Sequence, residues 1–324
     1  MKRKKVVVIG GGTGNFTVLS GLKKYDIDLS AIVSMADDGG STGILRDEMG
    51  VLPPGDVRQC LIALSESSEE LRDLFNYRFE NGSLGGHNFG NLFLSALEKV
   101  AGSFEKAVEE AGRILCCKGR VLPVTYDEVV LQADLGNGKT IKGQVNIDKA
   151  GMYKYPLKRL FIEPKAKVNP KAEKAIKEAD LIVVAPGSLY SSLLPNLLVE
   201  GVPKALQETK AKILYICNLV NKPHETAGYT VCDYVMELEK AGGRKIDYVL
   251  YNTKKPRNKV LEKYIKQNEL LVGECRASSN YKIIEGDILK DAVSSQKKGD
   301  LMNRSFIRHD SEKLTSAIIK ILEK

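Results

Sequence analysis

The chain has 324 residues, of which 43% are hydrophobic and 28% charged, and its formal net charge is +8. This length suits one large α/β domain or two of ordinary size, and no apolar run approaches the roughly 20 residues that a membrane-spanning helix needs. The lysines are spread along the chain and aromatic residues are only 6%, which argues against a nucleic-acid-binding protein and suits an anionic small ligand. The basic N-terminus continues directly into a strand without a signal-peptide pattern, which predicts a cytoplasmic protein.

The six cysteines contain no C-x-x-C pair, and only three histidines accompany them. We therefore expect reduced, mostly buried thiols and no structural zinc site.

The first predicted element is a buried strand, Val6-Val7-Val8-Ile9, which runs into the glycine-rich turn Gly10-Gly11-Gly12-Thr13-Gly14-Asn15. An amphipathic helix follows, and a turn without Cβ atoms lets backbone N–H groups approach a phosphate at the helix N-terminus. A turn of purely structural importance is the alternative. Asn15 stands where the dinucleotide fingerprint G-x-G-x-x-G needs glycine, which argues against an NAD-dependent oxidoreductase.

The second predicted strand, residues 31–35, leads into Asp37-Asp38-Gly39-Gly40-Ser41-Thr42-Gly43. Asp37 or Asp38 could accept hydrogen bonds from ribose hydroxyls, and the two together could hold Mg²⁺ through its waters. The alternative is an Asp-Gly turn in which one aspartate caps the next helix.

The segment Pro53-Pro54-Gly55-Asp56-Val57-Arg58 predicts another helix start, with Asp56 and Gln59 as a capping box. Arg58 is a candidate for phosphate contact, because a cation in the first turn of a helix is unfavourable unless an anion lies nearby. Further helices are expected after Ser67 or Ser68 and after the glycine-rich segment 85–92, the latter broken at Gly102 and restarting at Ser103. Asn91 is a candidate ligand contact, whereas His87 is interpreted as a structural hydrogen-bonding residue.

Residues 120–165 predict a small β lobe, because apolar and polar residues alternate there. A two-residue turn at 137–138 would put the apolar residues of the two strands on opposite faces. A three-residue loop, 136–138, aligns Ala133 with Ile141 and Leu131 with Gly143. We therefore predict the three-residue loop, with Gly138 in the left-handed region.

The second half continues the α/β pattern. Asn169-Pro170 begins a helix, the apolar run 181–185 predicts a buried parallel strand, and the turn 186–192 after it is a third turn rich in glycine and hydroxyl groups. Strands are expected at 213–218 and 246–252, with a helix between them at 226–241. The polar segment 303–310 precedes a final helix, and its Arg308 is either a bidentate diphosphate ligand or a surface cation.

Together these elements predict an α/β fold, a Rossmann-like doubly wound and mostly parallel sheet in three αβα layers. We expect a single domain over residues 1–324 with the β-hairpin lobe at about 120–165. Because loops at the carboxyl ends of parallel strands meet at one sheet edge, the three turns are expected to line one crevice.

Five ordered motifs resemble the gluconeogenesis-factor family, which is similar in turn to the 2-phospho-L-lactate transferases of deazaflavin cofactor synthesis. These motifs are Gly10-Gly11-Gly12-Thr13-Gly14, the segment 37–43, the segment 53–58, Gly90-Asn91-Leu92 and Pro186-Gly187-Ser188-Leu189-Tyr190. The resemblance implies a Rossmann-like fold that binds a nucleotide diphosphate sugar of the UDP-N-acetylglucosamine type. It also implies a cytoplasmic role in cell shape and envelope synthesis during growth on gluconeogenic carbon sources.

By the same resemblance, Thr13, Asn196 and Arg308 would contact the nucleotide sugar. The chain departs from the family where Met-Thr-Gln-Pro-Gly-Glu-Thr is usual, since it has Lys222 in place of glutamine and His224 in place of glycine. The predicted ligand-binding residues are Gly11, Gly12, Thr13, Gly14, Asn15, Asp37, Asp38, Arg58, Asn91, Gly187, Ser188, Leu189, Asn196, Asn218 and Arg308.

Two functions follow from these residues. The first is a binding factor that senses a nucleotide sugar and conveys its presence to regulatory protein partners, because no nucleophile–base pair or metal cage is evident. The second is a transferase of phosphorus-containing groups in which Asp37 or Asp38 holds Mg²⁺, since such transfer needs mainly positioning and charge neutralisation. A homodimer is compatible with either function.

Overall fold

The computed structural model describes residues 3–149, 155–275, 280–291 and 307–323. The strands are β1 (Lys5–Gly10), β2 (Asp28–Val33), β3 (Arg120–Pro123), β4 (Val130–Leu135), β5 (Thr140–Lys142), β6 (Leu157–Glu163), β7 (Leu181–Val184), β8 (Lys212–Ile216), β9 (Tyr248–Asn252) and β10 (Lys282–Gly286).

The helices are α1 (Gly12–Leu22), α2 (Gly40–Met49), α3 (Gly55–Leu64), α4 (Glu69–Asn76), α5 (Phe89–Ala101), α6 (Phe104–Ile114), α7 (Gln144–Lys149), α8 (Pro170–Glu178), α9 (Leu194–Leu197), α10 (Val202–Glu208), α11 (Val231–Gly242), α12 (Asn258–Lys266) and α13 (Ser311–Leu322). A π-helical turn, Leu189–Leu193, precedes α9. Each of the helices described is too short or too polar to cross a lipid bilayer.

Seven strands form one parallel sheet in the order β10-β9-β8-β7-β1-β2-β3. Helices cover both of its faces, which confirms the predicted doubly wound α/β fold. The chain builds outward from β1 to β3 and then returns to place β7 on the other side of β1. The loops that leave β1 and β7 therefore lead toward opposite faces of the sheet, and the carboxyl ends of these two strands are the place where a ligand crevice is expected in such a fold.

The central strands are buried on both faces because helices pack on each side. In β1, Val6 and Val8 have no exposed surface, and the apolar residues of β7 and β8 are buried with them. Such strands appear as continuous apolar runs, which is why the sequence located them.

Local capping signals located several helices. The side chains of Ser68, Ser103 and Asn169 accept hydrogen bonds at the N-termini of α4, α6 and α8, as predicted. Gly102 adopts a left-handed conformation at the end of α5 and breaks the helical region there.

Two helix starts were predicted wrongly. Pro54 is the N-cap of α3, so Asp56 and Gln59 do not form a capping box. The helix expected at 226–241 begins five residues later, because Thr230 and Asp233 form the capping box that starts α11.

The small lobe is a separate antiparallel sheet in the order β5-β4-β6. Ala133 lies opposite Ile141, Leu135 pairs with Lys139 across a three-residue loop, and Gly138 has φ 82°, which confirms the predicted hairpin. The lobe sheet spans 130–163 and gains β6 as a third strand, whereas β3, placed in the lobe by the sequence, belongs to the large sheet.

The expectation that the cysteines are reduced is wrong for one pair, because Cys232 and Cys275 form a disulfide. An isolated β-bridge between Thr230 and Gly273 brings these cysteines together across 43 residues of sequence, a contact that spacing alone cannot reveal. Cys60 and Cys217 are buried free thiols, whereas Cys116 is exposed.

Candidate functional site

The turns after β1 and β7 are in direct backbone contact at the crevice. A Cβ atom built on Gly14 would lie 1.8 Å from the carbonyl oxygen of Pro186, and one on Gly11 would lie 3.0 Å from Cβ of Ser192. Only glycine permits such close approach at position 14, since a side chain there would overlap the opposing backbone. Gly14 is therefore required for the two turns to meet, whereas a side chain at Gly11 would need only a small shift of Ser192.

Two fully buried amides support the glycine turn from below. Asn15 Nδ2 donates to the carbonyl oxygens of Gly10 at 3.4 Å and Ile32 at 3.2 Å. Asn196 Nδ2 donates to Ser192 O at 2.9 Å and is 3.5 Å from Gly10 O. Neither side chain has exposed surface, so both amides support the turns, and their roles as ligand contacts stay predictions.

Asn218, at the end of the β8 region, fixes the turn after β7. Its Nδ2 donates to Gly187 O at 2.7 Å, and its Oδ1 accepts from Gly187 N at 3.2 Å. Leu189, next along this turn, is fully buried, and its role as a ligand contact stays a prediction.

Thr13 is the exposed side chain of the glycine turn. Its Oγ1 donates to Gln59 Oε1 on α3 at 3.1 Å. Gln59 and Ser192 therefore belong to the same site, although the sequence analysis did not select them. Gln59 had been interpreted as part of a cap, and only the packing of α1 on α3 brings it to Thr13.

A pair of partly buried carboxyl groups, those of Asp37 and Asp56, lies beside the glycine turn. A Cβ built on Gly12 would meet Asp56 Oδ1 at 2.6 Å, and one on Gly55 would meet Asp37 Oδ2 at 2.9 Å. Burial, reinforced by the charge of Asp37, raises the pKa of Asp56 to about 7. Burial likewise raises the pKa of Asp37, although hydrogen bonds from Gly39 N and Thr42 oppose this shift. Asp56 was missed as a site residue because its position suggested a helix cap.

Asp38 has a different role from its neighbour. Its Oδ2 and Oδ1 accept hydrogen bonds from the backbone N–H groups of Gln144 and Val145, both at 3.0 Å. These are the first residues of α7, so Asp38 caps a helix of the β lobe 106 residues away. The predicted alternative, in which an aspartate caps the next helix, is wrong because Gly39 is the N-cap of α2.

Replacement of Asp38 by alanine is expected to loosen the lobe from the sheet. The loss of an N-terminal cap costs about 1 kcal/mol, and two backbone N–H groups would lose their acceptor. Hydrogen exchange should accelerate in residues 140–149, whereas the variant Asp47→Ala, at an exposed position on α2, should exchange as the wild type does. Unchanged protection in the Asp38 variant would contradict the assigned role.

Mg²⁺ is usually held by one or two carboxylates, several waters and substrate phosphates. Asp37 and Asp56 fit this donor set better than the predicted Asp37 and Asp38, because both oxygens of Asp38 already accept backbone hydrogen bonds. Within the described ranges, no group of three or more His, Cys, Asp or Glu side chains is arranged to hold a metal ion. A metal at the pair would therefore need ligands from water or substrate.

Arg58 and Asn91 lie together beneath α2. Arg58 Nε donates to Asn91 Oδ1 at 2.9 Å, and Asn91 Nδ2 is 3.4 Å from Ser41 Oγ. Both residues are buried, and Arg58 also donates to Phe75 O and Asn76 Oδ1. Their roles as ligand contacts stay predictions. His87, 3.2 Å from Ser41 Oγ through Nδ1, has the hydrogen-bonding contact that was expected of it.

Arg308 lies in the segment that precedes α13. This segment forms an antiparallel bridge between His309 and Leu289, and His309 Nε2 is 3.1 Å from Cys217 O at the end of β8. Burial lowers the pKa of His309 to about 4, so the imidazole is neutral at pH 7. Arg308 is thus held next to the Asn218 region, while residues 303–306 of the predicted polar segment lie outside the described residues.

The structure therefore brings together most of the predicted residues. The turns after β1, β2, β7 and β8 converge at one edge of the sheet, with Asp56 and Gln59 added from α3. Asn15, Asn196 and Asn218 act as supports, and Arg58 and Asn91 lie behind α2.

Comparisons with known proteins agree with this architecture. The model of the family described as 2-phospho-L-lactate transferase CofD matches residues 6–289. The gluconeogenesis factor of Bacillus subtilis is 37% identical over 327 residues, which cover 100% of this chain and 99% of the relative. The gluconeogenesis factor of Halalkalibacterium halodurans is 37% identical over 332 residues, which cover 99% of this chain and 97% of that relative.

A solved structure is similar over the whole fold. The crystal structure of a UPF0052 family protein from Bacillus halodurans has a TM-score of 0.90 at 37% identity and covers 98% of this chain and 99% of that one. The chain therefore belongs to the gluconeogenesis-factor family, within the wider family of 2-phospho-L-lactate transferase CofD.

Proposed function

We propose that this chain binds a nucleotide diphosphate sugar of the UDP-N-acetylglucosamine type at the carboxyl edge of β1 and β7. The observation that carries the proposal is the contact between two glycine-containing turns at the point where the strand order reverses. The start of α1, where Thr13 is exposed, suits a diphosphate because helix N-termini attract anions, and parallel α/β sheets bind ligands at this place.

We propose further that the protein acts in the cytoplasm as a binding factor that supports cell shape and envelope synthesis during gluconeogenic growth. It would convey the ligand-bound state to a protein partner, either as a monomer or as a homodimer. Expression of this chain in Bacillus subtilis that lacks its own gluconeogenesis factor, on a gluconeogenic carbon source, tests the cellular role. Restored growth and cell shape would support it, and no rescue by a well-expressed chain would contradict it.

Calorimetric titration with UDP-N-acetylglucosamine tests the binding itself. Thr13→Val keeps the shape of the side chain but removes its hydroxyl, so we expect affinity to fall about tenfold, as for loss of one hydrogen bond to a charged group. Thr17→Val, one turn further along α1, is the matched control and should bind as the wild type does. No binding by the wild type, or equal affinity in the Thr13 variant, would contradict this assignment.

A Mg²⁺-dependent transferase is the second candidate function. The partly buried pair of Asp37 and Asp56 favours it, because the charge of Asp37 disfavours ionised Asp56 and a divalent ion held by both carboxylates would relieve that repulsion. The ion would neutralise phosphate charge, while the glycine turn orients the donor. Phosphorus NMR of the nucleotide sugar with protein and Mg²⁺ distinguishes the two functions. Metal-dependent consumption of the nucleotide supports the transferase, and binding without turnover supports the binding factor.

A further inference from the structure

Helix α7 of the lobe connects two sides of the crevice. Asp38, after β2, caps its N-terminus, and α7 packs against the π-helical turn that follows β7. Near its C-terminus, Asp148 faces the loop after β8, where Lys222 and Glu225 lie. The lobe therefore adds one carboxyl group to the edge of the proposed ligand site.

Lys222 is at the centre of this contact. Its Nζ donates to Ser188 Oγ on the turn after β7 and lies 3.3 Å from Glu225 Oε1 and 4.0 Å from Asp148 Oδ1. The side chain of Lys222 is 45% exposed. Burial disfavours its ammonium form, but the carboxylates of Glu225 and Asp148 outweigh that effect and raise the pKa of Lys222. The ammonium group is thus charged, accessible and next to a predicted ligand-binding turn.

The carboxyl groups of Glu225 and Asp148 have fewer hydrogen-bond partners than the ammonium group of Lys222. The Glu225 side chain is 1% exposed, and neither Glu225 Oε2 nor Asp148 Oδ1 has a hydrogen-bond partner among the described residues. Two acceptor oxygens that lack a donor are both satisfied if one proton lies between them. Burial raises the pKa of Glu225 to about 8, opposed by Lys222 and reinforced by Asp148.

We propose that Lys222 binds a phosphate of the ligand beside Ser188, and that the Glu225–Asp148 pair holds one proton which is required for tight binding. This inference rests on the proposed nucleotide-sugar site and adds a residue and a proton to it.

Further titratable groups among the described residues also interact with Glu225 or Lys222. Tyr190 from the π-helical turn and Tyr234 from α11 interact with it, and burial raises the pKa of both phenols, so they stay neutral. Glu269 interacts electrostatically with Lys222 and His224, and burial raises the pKa of Glu269. Glu225 is therefore the group that changes charge near pH 8 and faces Lys222 directly.

The direction of the pH effect follows from charge. A phosphate near Lys222 adds negative charge and disfavours ionised Glu225, so the bound protein holds its proton to higher pH than the free protein does. Affinity should be constant below about pH 7.5 and fall by up to about tenfold per pH unit above about pH 8. Proton uptake on binding should appear over the same range.

The test is calorimetry with UDP-N-acetylglucosamine in buffers of different ionisation enthalpy. We expect Glu225→Gln to remove both the proton uptake and the loss of affinity above about pH 8. Lys222→Gln should weaken binding about tenfold at neutral pH, and Lys222→Arg should retain most of the affinity. Lys177→Gln, on α8 and paired with Glu173, is the control and should behave as the wild type does.

The Tm of each variant is measured by thermal unfolding, so that a variant that fails to bind because it is misfolded is recognised. Full affinity in a folded Lys222→Gln variant, or proton uptake that persists in Glu225→Gln, would overturn this inference and leave the proposed function intact. A wild-type chain that binds no nucleotide sugar would overturn both.

Discussion

Replacing Gly14 with alanine is expected to abolish nucleotide-sugar binding and to destabilise the fold by on the order of 3 kcal/mol. The added Cβ would lie 1.8 Å from Pro186 O, far inside the contact distance. Because this neighbour is backbone rather than a flexible side chain, the turns after β1 and β7 must separate. Binding is measured by calorimetry and stability by urea unfolding.

Gly112→Ala is the matched control for this prediction. Gly112 also lies within a helix, but its added Cβ would be 3.7 Å from the nearest atom outside the helix, an ordinary contact. We expect it to bind normally and to be at least as stable as the wild type, since alanine favours helices by about 1 kcal/mol over glycine. Similar behaviour of the Gly14 and Gly112 variants would refute the close approach of the two turns.

Asp56→Asn is expected to stabilise the protein at about pH 8 by on the order of 2 kcal/mol or more. Folding raises the pKa of Asp56 from 3.8 to about 7, so the folded state holds the extra proton. The contribution of Asp56 to the free energy of unfolding therefore decreases as pH rises from 3.8 to about 7. The variant should raise Tm by several degrees at pH 8 and differ little from the wild type only near about pH 3, where Asp56 is mostly protonated in both the folded and the unfolded state.

Mg²⁺ gives a second measurement on the same variant. If Asp37 and Asp56 bind the ion together, Mg²⁺ should raise the Tm of the wild type at pH 8 but not that of Asp56→Asn. Asp47→Asn, an exposed change on α2, should leave the Mg²⁺ response intact. An equal Mg²⁺ response in the Asp56 variant would exclude this carboxyl pair as the ion's ligands.

Where local chemistry decides structure, the sequence was a reliable guide. The caps at Ser103 and Asn169 and the loop around Gly138 depend on residues close together in the chain. Hydrophobic patterning also selected the hairpin register, because a shift by one residue would have turned its apolar residues to opposite faces. The helix start at Val231 was misplaced because several polar residues before it could have served as the cap.

The site was predicted less completely than the fold. The glycine turns and Asn218 were identified correctly as neighbours, since they follow parallel strands. The roles of Asp38 and Asp56 were not distinguished, because one caps a helix of the lobe and the other reaches the glycine turn from α3. Both contacts join residues far apart in the chain.

By itself, the sequence determined the doubly wound sheet and the edge at which its loops meet. Buried strands, glycine turns and helix caps are encoded within a few residues of one another, so they can be identified without knowing what packs nearby. Only the tertiary structure decided which carboxyl groups lie beside the glycine turn and which amides are used as supports. Those properties depend on contacts between residues that are far apart in the sequence, such as Lys222 and Asp148, and local sequence patterns carry no information about such contacts.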